Sequence, residues 1–365
     1  MMINTEEYKS GVGVVAGSYR LKWDLLNQHI HGHLINIKPN DDVNVFINFE
    51  CILKNLSMRK NLNSLVNFHK KQLVIELESS ILNLMGNYKS YFQKEKCNVK
   101  VYFYYTAIDQ QYPQQMYVYN KYYRNFYYNK YTQNPQFRQM GEVINSIIIP
   151  EIKLIISYLP NCYFLESKTF DSSIIPYIVS TFSPSKNVII TGDVFDTLYL
   201  FNPNFATIYI KRKFQELSIT SDIDSTVQSI IKNESPFDLT IFNSELYYRL
   251  LLSVKGSKIR NIRSAKGFGY KNLINILKQG INNDIILKDF SAIESVIELF
   301  SKEYREDIKQ AFKCTSIESQ FELLSQTDID EIKSQIIDKI DIESIEALNN
   351  RRFIDYPINL QMLLN

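Results

Sequence analysis

The segment KNVIITGD, residues 186–193, decides how this chain is expected to fold. Its apolar residues follow one another without alternation, and a Gly-Asp pair closes the run. A continuous apolar run bounded by a turn signal is typical of a strand that is buried on both faces, as the strands of parallel sheets are. The segment therefore predicts a strand of a parallel sheet.

Similar strand patterns occur before and after this segment. The predicted strands are VNVFINFECIL (43–53), NVKVYFYY (98–105), the short NCYFLES (161–167) and FATIYIKRK (205–213). Intervening segments such as residues 61–93 have apolar residues at three- and four-residue steps and predict amphipathic helices. Strands that alternate with helices imply an α/β fold with a mostly parallel sheet and helices on both faces. The expected sheet contains residues 43–50, 98–105, 186–192 and 206–212.

The same pattern predicts three regions. Residues 1–40 mix Gly and His with an apolar stretch and are interpreted as an N-terminal extension. Residues 41–214 are expected to form the α/β core, which includes a Tyr-rich basic segment at 110–141. Residues 215–365 are expected to be helical, with a glycine-containing turn motif at 255–280.

The composition is that of a folded protein without a membrane span. The chain has 365 residues, of which 45% are hydrophobic, so it can bury a substantial core. It contains no 18-residue apolar run and no signal-peptide pattern, so we expect no membrane association and no secretion. Because the net charge is only +2, a nucleic-acid-binding surface would have to arise from local clustering of basic residues.

The cysteines and histidines do not form a recognisable metal motif. The cysteines at positions 51, 97, 162 and 314 lack CxxC spacing and are interpreted as reduced thiols of a cytosolic protein. The histidines at 29, 31 and 33 alternate and could share one face of a strand. Since no cysteine or carboxylate lies close to them, a metal site there is not favoured.

The most specific local pattern is GSKIRNIRSAKGFGYKNL, residues 256–273. Gly267 and Gly269 are followed by the apolar segment LINIL, as in a turn that lets the backbone approach a phosphate at the start of a helix. No acidic residue occurs from 246 to 283. Its basic residues from position 255 onward are Lys255, Lys258, Arg260, Arg263, Lys266, Lys271 and Lys278. The alternative is a solvated helix surface that ends in a glycine cap.

A second basic stretch, YVYNKYYRNFYYNKY, spans residues 117–131. Lys121, Arg124 and Lys130 are interleaved with tyrosines that include Tyr128. Aromatic side chains stack on unpaired bases while cations follow the phosphate backbone, so the pattern is compatible with nucleic-acid binding. An equally supported alternative is a Tyr-rich loop that packs on a protein partner.

In a parallel sheet, functional residues are expected just beyond the carboxyl ends of the strands. Asn48, Tyr105, Asp193 and Asp196 occupy such positions. Asp193 and Asp196 could hold a divalent cation through their oxygens. The alternative is that an Asp after a strand caps the next helix.

Four segments carry a resemblance to a known family. They are RNFYYNK (124–130), ITGDVFDTLYL (190–200), GSKIRNIRSAKGFGYK (256–271) and RRFIDYPINL (351–360). In this order they resemble the arch, the S-x-D-x-D strand end, the G-D-x-x-D-N-I loop with its glycine-rich turn, and the I-D-x-x-x-I-P segment of the 5′-nuclease (flap endonuclease) family. The resemblance is nearest to the phage RNase H branch and covers about residues 43–360. It implies a PIN-like fold with a helix-hairpin-helix-like turn.

The resemblance also implies acidic positions for two Mg²⁺ ions, and most of these are not acidic here. The matching residues are Asn48, Tyr105, Phe170, Ser173, Ser257 and Arg260, while Asp193 and Asp196 remain and Asp171 lies one place away. Two neighbouring divalent ions need several carboxylates. A guanidinium at Arg260 would pair with an acid in place of a cation. We therefore expect a pseudonuclease without a metal cofactor.

Three functions are compatible with this reading. The first is a non-catalytic DNA-binding protein of a phage or virus that acts in replication, transcription or virion assembly. The second is an active Mg²⁺-dependent 5′-nuclease with a remodelled site that uses Glu76, Glu78, Asp171, Asp193 and Asp196. The third is an assembly protein that uses the fold only for protein contacts. The retained basic stretches and the missing acids favour the first.

For the first function, the expected ligand is duplex, flapped or branched DNA, held by main-chain N–H groups from Gly267 to Gly269. The family resemblance implies a possible K⁺ site at the same turn. Other phage or viral proteins are expected as partners. The expected location is the cytoplasm of the host cell, with possible incorporation into the virion.

Overall fold

The computed structural model describes residues 37–50, 96–106, 149–191, 193, 195–210, 217–218, 244–256, 265, 273, 275–279 and 290–336. The strands are β1 (Asp42–Asn48), β2 (Asn98–Thr106), β3 (Cys162–Ser167), β4 (Lys186–Thr191), β5 (Phe205–Ile210) and β6 (Leu217–Ser218). The α-helices are α1 (Ile149–Tyr158), α2 (Ile175–Phe182), α3 (Ser244–Lys255), α4 (Ile293–Glu298), α5 (Lys302–Cys314), α6 (Ile317–Phe321) and α7 (Gln326–Ser334). Short 3-10 helices span Ser172–Ile174, Asp196–Phe201 and Phe290–Ala292.

Within the described residues the strands form one sheet in the order β3-β2-β1-β4-β5-β6. The first five strands are parallel, and β6 is antiparallel to β5. Every residue of β1 after Asp42 is buried, so both faces of the sheet are covered at its centre. This burial is what the uninterrupted apolar sequence requires. The predicted α/β fold with a mostly parallel sheet is confirmed.

Two features differ from the expected sheet. The short strand predicted at 161–167 joins the sheet as its edge strand β3. Strand β6 lies in the region predicted to be helical, because Leu217 pairs with Ile210 at the opposite edge. Beyond β6, the described part of the C-terminal region contains helices α3 to α7, as predicted. Residues 1–36, the helix predicted within 61–93 and the Tyr-rich segment 110–141 lie outside the described residues.

An aromatic row crosses three strands on one face of the sheet. Phe46, Tyr102 and Tyr163 are register partners on β1, β2 and β3. Because neighbouring strands lie about 4.8 Å apart, rings in register can stack. The observed centroid distances are 5.1 Å for Phe46–Tyr102 and 4.9 Å for Tyr102–Tyr163, with nearly parallel planes. These stacked pairs help to fix the register of β1 against β2 and β3.

The C-terminal helices pack in two hydrophobic clusters. One joins the aromatic row to α2, to Leu252 of α3 and to Ile332 of α7. The other surrounds the opposite side of α3 and includes Phe300 and Phe312. Cys97 and Cys162 are buried. Burial raises the pKa of the Cys314 thiol to about 11, which leaves it protonated at neutral pH. None of the described helices has both the length and the apolar character needed to cross a membrane.

Gln335, just after α7, connects the C-terminal helices to the outermost strand β3. Its side-chain Oε1 accepts a hydrogen bond from the backbone N–H of Glu166 at 2.8 Å, and its Nε2 donates to the carbonyl of the same residue at 2.9 Å. A side-chain amide therefore satisfies both main-chain groups of one strand residue. The start of α7 is fixed independently, since Thr169 donates to Asp328 in its capping box at 2.8 Å.

We expect Gln335→Ala to lower the free energy of unfolding by about 1–2 kcal/mol, because both main-chain groups of Glu166 lose their partner. The change should appear as a lower urea midpoint in circular dichroism. The matched control is Gln310→Ala, which removes an exposed side chain that bonds only to Glu306. Its effect should stay within about 0.5 kcal/mol. Equal midpoints for the two variants would contradict the bridging role of Gln335.

Candidate functional site

The strand order brings three chain segments together at the carboxyl edge of the sheet. β1 lies between β2 and β4, and Asn48 at the end of β1 is the register partner of Tyr104. β4 ends at Thr191, and the chain then turns into the 3-10 helix that begins at Asp196. Since sites of open parallel sheets lie at this edge, these residues define the candidate site.

The carboxylate of Asp196 is the centre of the site and is completely buried. Its Oδ2 accepts hydrogen bonds from Asn48 Nδ2 at 2.5 Å, from the Tyr104 hydroxyl at 2.9 Å and from Thr191 Oγ1 at 2.6 Å. The opposite orientation of the Asn48 amide would place two oxygens in contact, so the donor orientation is required. We refer to this arrangement of Asn48, Tyr104, Thr191 and Asp196 as the Asp196 hub.

Neutral donors thus stabilise a buried negative charge. Hydrogen bonds to the ionised form of a carboxylate offset the loss of hydration that burial causes. The charge also acts on Tyr199: burial raises the pKa of this hydroxyl well above 10, and the nearby Asp196 raises it further. The neutral Tyr199 hydroxyl donates to the carbonyl of Ser173 at 2.7 Å. The hub is therefore continuous with the polar contacts that hold α2 to the sheet.

Asp193 bonds within the turn between β4 and the following 3-10 helix. Its Oδ1 accepts a hydrogen bond from the N–H of Phe195 at 2.8 Å. Its own N–H donates to Thr191 Oγ1 at 3.0 Å. This second bond orients the Thr191 hydroxyl, whose proton points to Asp196. Asp193 thereby positions the 3-10 helix and one donor of the Asp196 hub.

Asp171 and Glu50 belong to a neighbouring polar group around Thr106, the last residue of β2. Asp171 is buried and caps the 3-10 helix through the N–H of Ser173 at 2.9 Å. The N–H of Ser172 donates to Thr106 Oγ1 at 3.0 Å, and the N–H of Thr106 donates to Glu50 Oε1 at 3.2 Å. Sequence reasoning missed Glu50, although its position two residues after β1 indicated this edge of the sheet.

Tyr105 was predicted to lie just beyond the second strand, and the structure places it within that strand. β2 extends to Thr106, and Tyr104 is the residue whose hydroxyl reaches Asp196. Side chains alternate along a strand, so Tyr105 points to the other face. There the centroid of its ring lies 5.9 Å from that of Phe49 and 6.2 Å from that of Phe164. Phe170, which was matched to a family acid, is part of the hydrophobic core.

Oδ2 of Asp196 is not available to a divalent cation. A Mg²⁺ ion needs oxygen lone pairs directed at it, whereas Asn48, Tyr104 and Thr191 direct protons at this oxygen. In the part of the chain that the structure describes, no three His, Cys, Asp or Glu residues form a group suited to a metal ion. Ser257, Arg260, Glu76 and Glu78 lie outside the described residues.

The basic turn motif is described only at its borders. α3 ends at Lys255, and Gly256 adopts the left-handed conformation with φ of 66°, which glycine tolerates best after a helix. The N–H of Ala265 donates to the carbonyl of Val254 at 3.1 Å, so the chain returns to α3 at this point. Residues 275–279 are helical, and Ile276 packs in the same cluster as α3.

The predicted nucleic-acid-binding residue Lys255 is exposed at one border, and Lys278, another basic residue of the same stretch, is exposed at the other. The remaining predicted positions lie outside the described residues and stay predictions. They are Lys258, Arg260, Arg263, Lys266, Gly267, Gly269 and Lys271 of the turn motif, and Lys121, Arg124, Tyr128 and Lys130 of the Tyr-rich segment.

Comparison with known proteins identifies the fold. No family model and no curated protein matches the chain. The chain is similar to the crystal structure of the flap endonuclease of bacteriophage T5, a pseudo-enzyme–product complex with DNA and metal ions. The TM-score is 0.50 at 12% identity, over 83% of this chain and 98% of that chain. The protein therefore has the fold of the 5′-nucleases, as the sequence resemblance implied.

We expect Asn48→Asp to destabilise the protein by about 3 kcal/mol or more, because it places a second buried carboxylate against Asp196. The loss should appear as a lower urea midpoint at neutral pH. The matched control, Asn204→Asp, makes the same change at an exposed position and should be nearly neutral.

Millimolar Mn²⁺ should raise the midpoint of Asn48→Asp, since a ligand that binds only the folded state stabilises it. The midpoint of the wild type should not respond. A wild type that responds to Mn²⁺ as strongly as Asn48→Asp would contradict the interpretation that the Asp196 hub excludes a divalent cation.

Proposed function

We propose that this protein is a catalytically inactive, DNA-binding form of the 5′-nuclease fold, which acts in replication, transcription or virion assembly of a phage or virus. The observation that carries the proposal is the Asp196 hub. A nuclease of this kind would need carboxylates that share divalent ions at the carboxyl edge of the sheet. Here neutral donors saturate the one carboxylate oxygen on which they converge.

DNA is the proposed ligand. The structurally similar T5 flap endonuclease is in complex with DNA, and the chain carries two stretches in which basic residues cluster without acids. Lys255 and Lys278 are exposed at the two borders of one stretch. In this proposal the main-chain N–H groups of Gly267 to Gly269 hold a DNA backbone, with a K⁺ ion as a possible bridge to the phosphate. The proposed place of action is the host cytoplasm or the virion.

The binding should depend on salt and not on sequence, because phosphate contacts carry no base information and release counterions. We expect Lys266→Ala with Lys271→Ala to lower the log–log salt slope by about one to two units, and to weaken all sequences alike. Gly269→Val should weaken binding more, since a β-branched side chain blocks close approach of the backbone. Fluorescence anisotropy with duplex, flapped and single-stranded DNA at several salt concentrations measures both effects.

The matched control is Lys302→Ala with Lys313→Ala, which removes two exposed lysines of α5 outside the basic stretches. It should leave the salt slope nearly unchanged. If the wild type shows no binding even at low salt, the DNA-binding part of the proposal is wrong, and the assembly function becomes the better one.

The wild type should not cleave flapped, nicked or RNA–DNA substrates above background with Mg²⁺ or Mn²⁺, because the positions at Asn48 and Tyr104 supply donors where metal ligands are needed. Gel analysis of end-labelled substrates provides the measurement. Robust cleavage that disappears in Asp193→Ala would overturn the proposal and establish the active nuclease with a remodelled site.

A further inference from the structure

A cavity of about 160 Å³ lies away from the carboxyl edge of the sheet and opens to solvent. It is formed where the 3-10 helix Asp196–Phe201, the start of α3 and the turn between α5 and α6 meet. Leu198, Phe201 and Ile317 form apolar parts of its wall. Its charged lining residues are Glu245, Arg249 and Glu318. The cavity is large enough for a long side chain and contains carboxylates in excess over cations.

Arg249 is already engaged and cannot neutralise the whole cavity. Its Nη1 donates to Glu245 Oε1 at 3.2 Å, and the ion pair is mostly buried on the Arg249 side. Its guanidinium also lies against the rings of Phe290 and Phe312, at 5.0 Å and 4.6 Å from their centroids. Arg249 is thus held by Glu245 of α3, by Phe312 of α5 and by Phe290 of the 3-10 helix Phe290–Ala292. The second carboxylate, that of Glu318, also attracts the Arg249 guanidinium and contributes to raising its pKa against the lowering effect of burial, but it does not form an ion pair with Arg249.

Glu318 is exposed, and its carboxylate is held by neutral groups. Asn202 Nδ2 donates to Oε1 at 3.4 Å and Ser316 Oγ to Oε2 at 3.3 Å. Among the described residues no lysine or arginine forms an ion pair with it. Burial raises the pKa of the Glu245 carboxyl, and the Glu318 charge adds to the rise against the opposing effect of Arg249. Burial likewise raises the pKa of Tyr177, and Glu318 and Glu322 add to it.

We propose that this cavity is a docking site for a lysine or arginine side chain presented by a protein partner. The methylene stem would pack against Leu198, Phe201 and Ile317, and the cationic end would meet Glu318 and the free side of Glu245. Glu322, exposed and four residues beyond Glu318, extends the negative surface outside the cavity. Nucleic acid is disfavoured here, because carboxylates repel phosphates.

The site is separated from the proposed DNA-binding turn. Glu245 lies in the first turn of α3 and Lys255 in its last turn. At 1.5 Å per residue they are about 15 Å apart along the helix. A partner held at the cavity and DNA held beyond Lys255 would therefore occupy opposite ends of one helix. Docking at the cavity does not depend on DNA binding, so it is expected even if the protein does not bind DNA.

The test uses the full chain and fluorescein-labelled hexa-arginine, with the uncharged hexa-citrulline peptide as a reference. We expect hexa-arginine to bind and hexa-citrulline not to bind in fluorescence anisotropy. Glu318→Gln with Glu322→Gln should weaken hexa-arginine binding about fivefold or more, as expected for two solvent-accessible charges at an interface. The DNA affinity of this variant should not fall, which separates the outcome from a failure of the proposed function.

The matched control is Glu303→Gln with Glu306→Gln, which removes two exposed carboxylates of α5 outside the cavity. It should leave hexa-arginine binding unchanged. Equal weakening by both double variants would overturn the proposal in favour of non-specific attraction, as would equal binding of the two peptides. Self-association in sedimentation that Glu318→Gln with Glu322→Gln abolishes would also overturn it, since the occupant would then be a second copy of this chain.

Discussion

A buried negative charge governs the carboxyl edge of the sheet. Asp196 has no exposed surface, and an ionised carboxylate without partners would be costly at such a place. The donors that stabilise it come from β1, β2 and the end of β4. Because the three donors must converge on one oxygen, β1, β2 and β4 must bring their carboxyl ends to matching positions. The charge therefore links the chemistry of the site to the register of the central strands.

The sequence predicts the sheet well because burial on both faces has a direct signature. Continuous apolar runs such as residues 186–191 can be recognised without any knowledge of their partners. The hub was harder to predict, since Asn48, Tyr104 and Thr191 are common residues whose meaning depends on a carboxylate on another segment. Tyr104 was missed because functional residues were expected beyond the strand end, whereas its hydroxyl reaches Asp196 from within β2. Glu50 was missed because it accepts a hydrogen bond from the main-chain N–H of Thr106, and every residue except proline has such a group.

The neutral donors of the Asp196 hub also determine what maintains this edge of the sheet. A group of carboxylates repels itself until cations bind, so such a site is stable only together with its ions. The Asp196 hub contains one carboxylate, and donors from within the chain satisfy its Oδ2. This edge of the sheet therefore keeps its geometry without binding cations from solution.

Gln335 has a consequence for how copies of this protein behave when they are crowded together. The outermost strand of a sheet offers unpaired main-chain groups to which a strand of another molecule can add. At Glu166 both groups of β3 are already bonded to the Gln335 amide. A foreign strand cannot pair at that residue without displacing the side chain of Gln335. A single glutamine thereby protects this position of the edge strand from the sheet-to-sheet polymerisation that ends in fibrous aggregates.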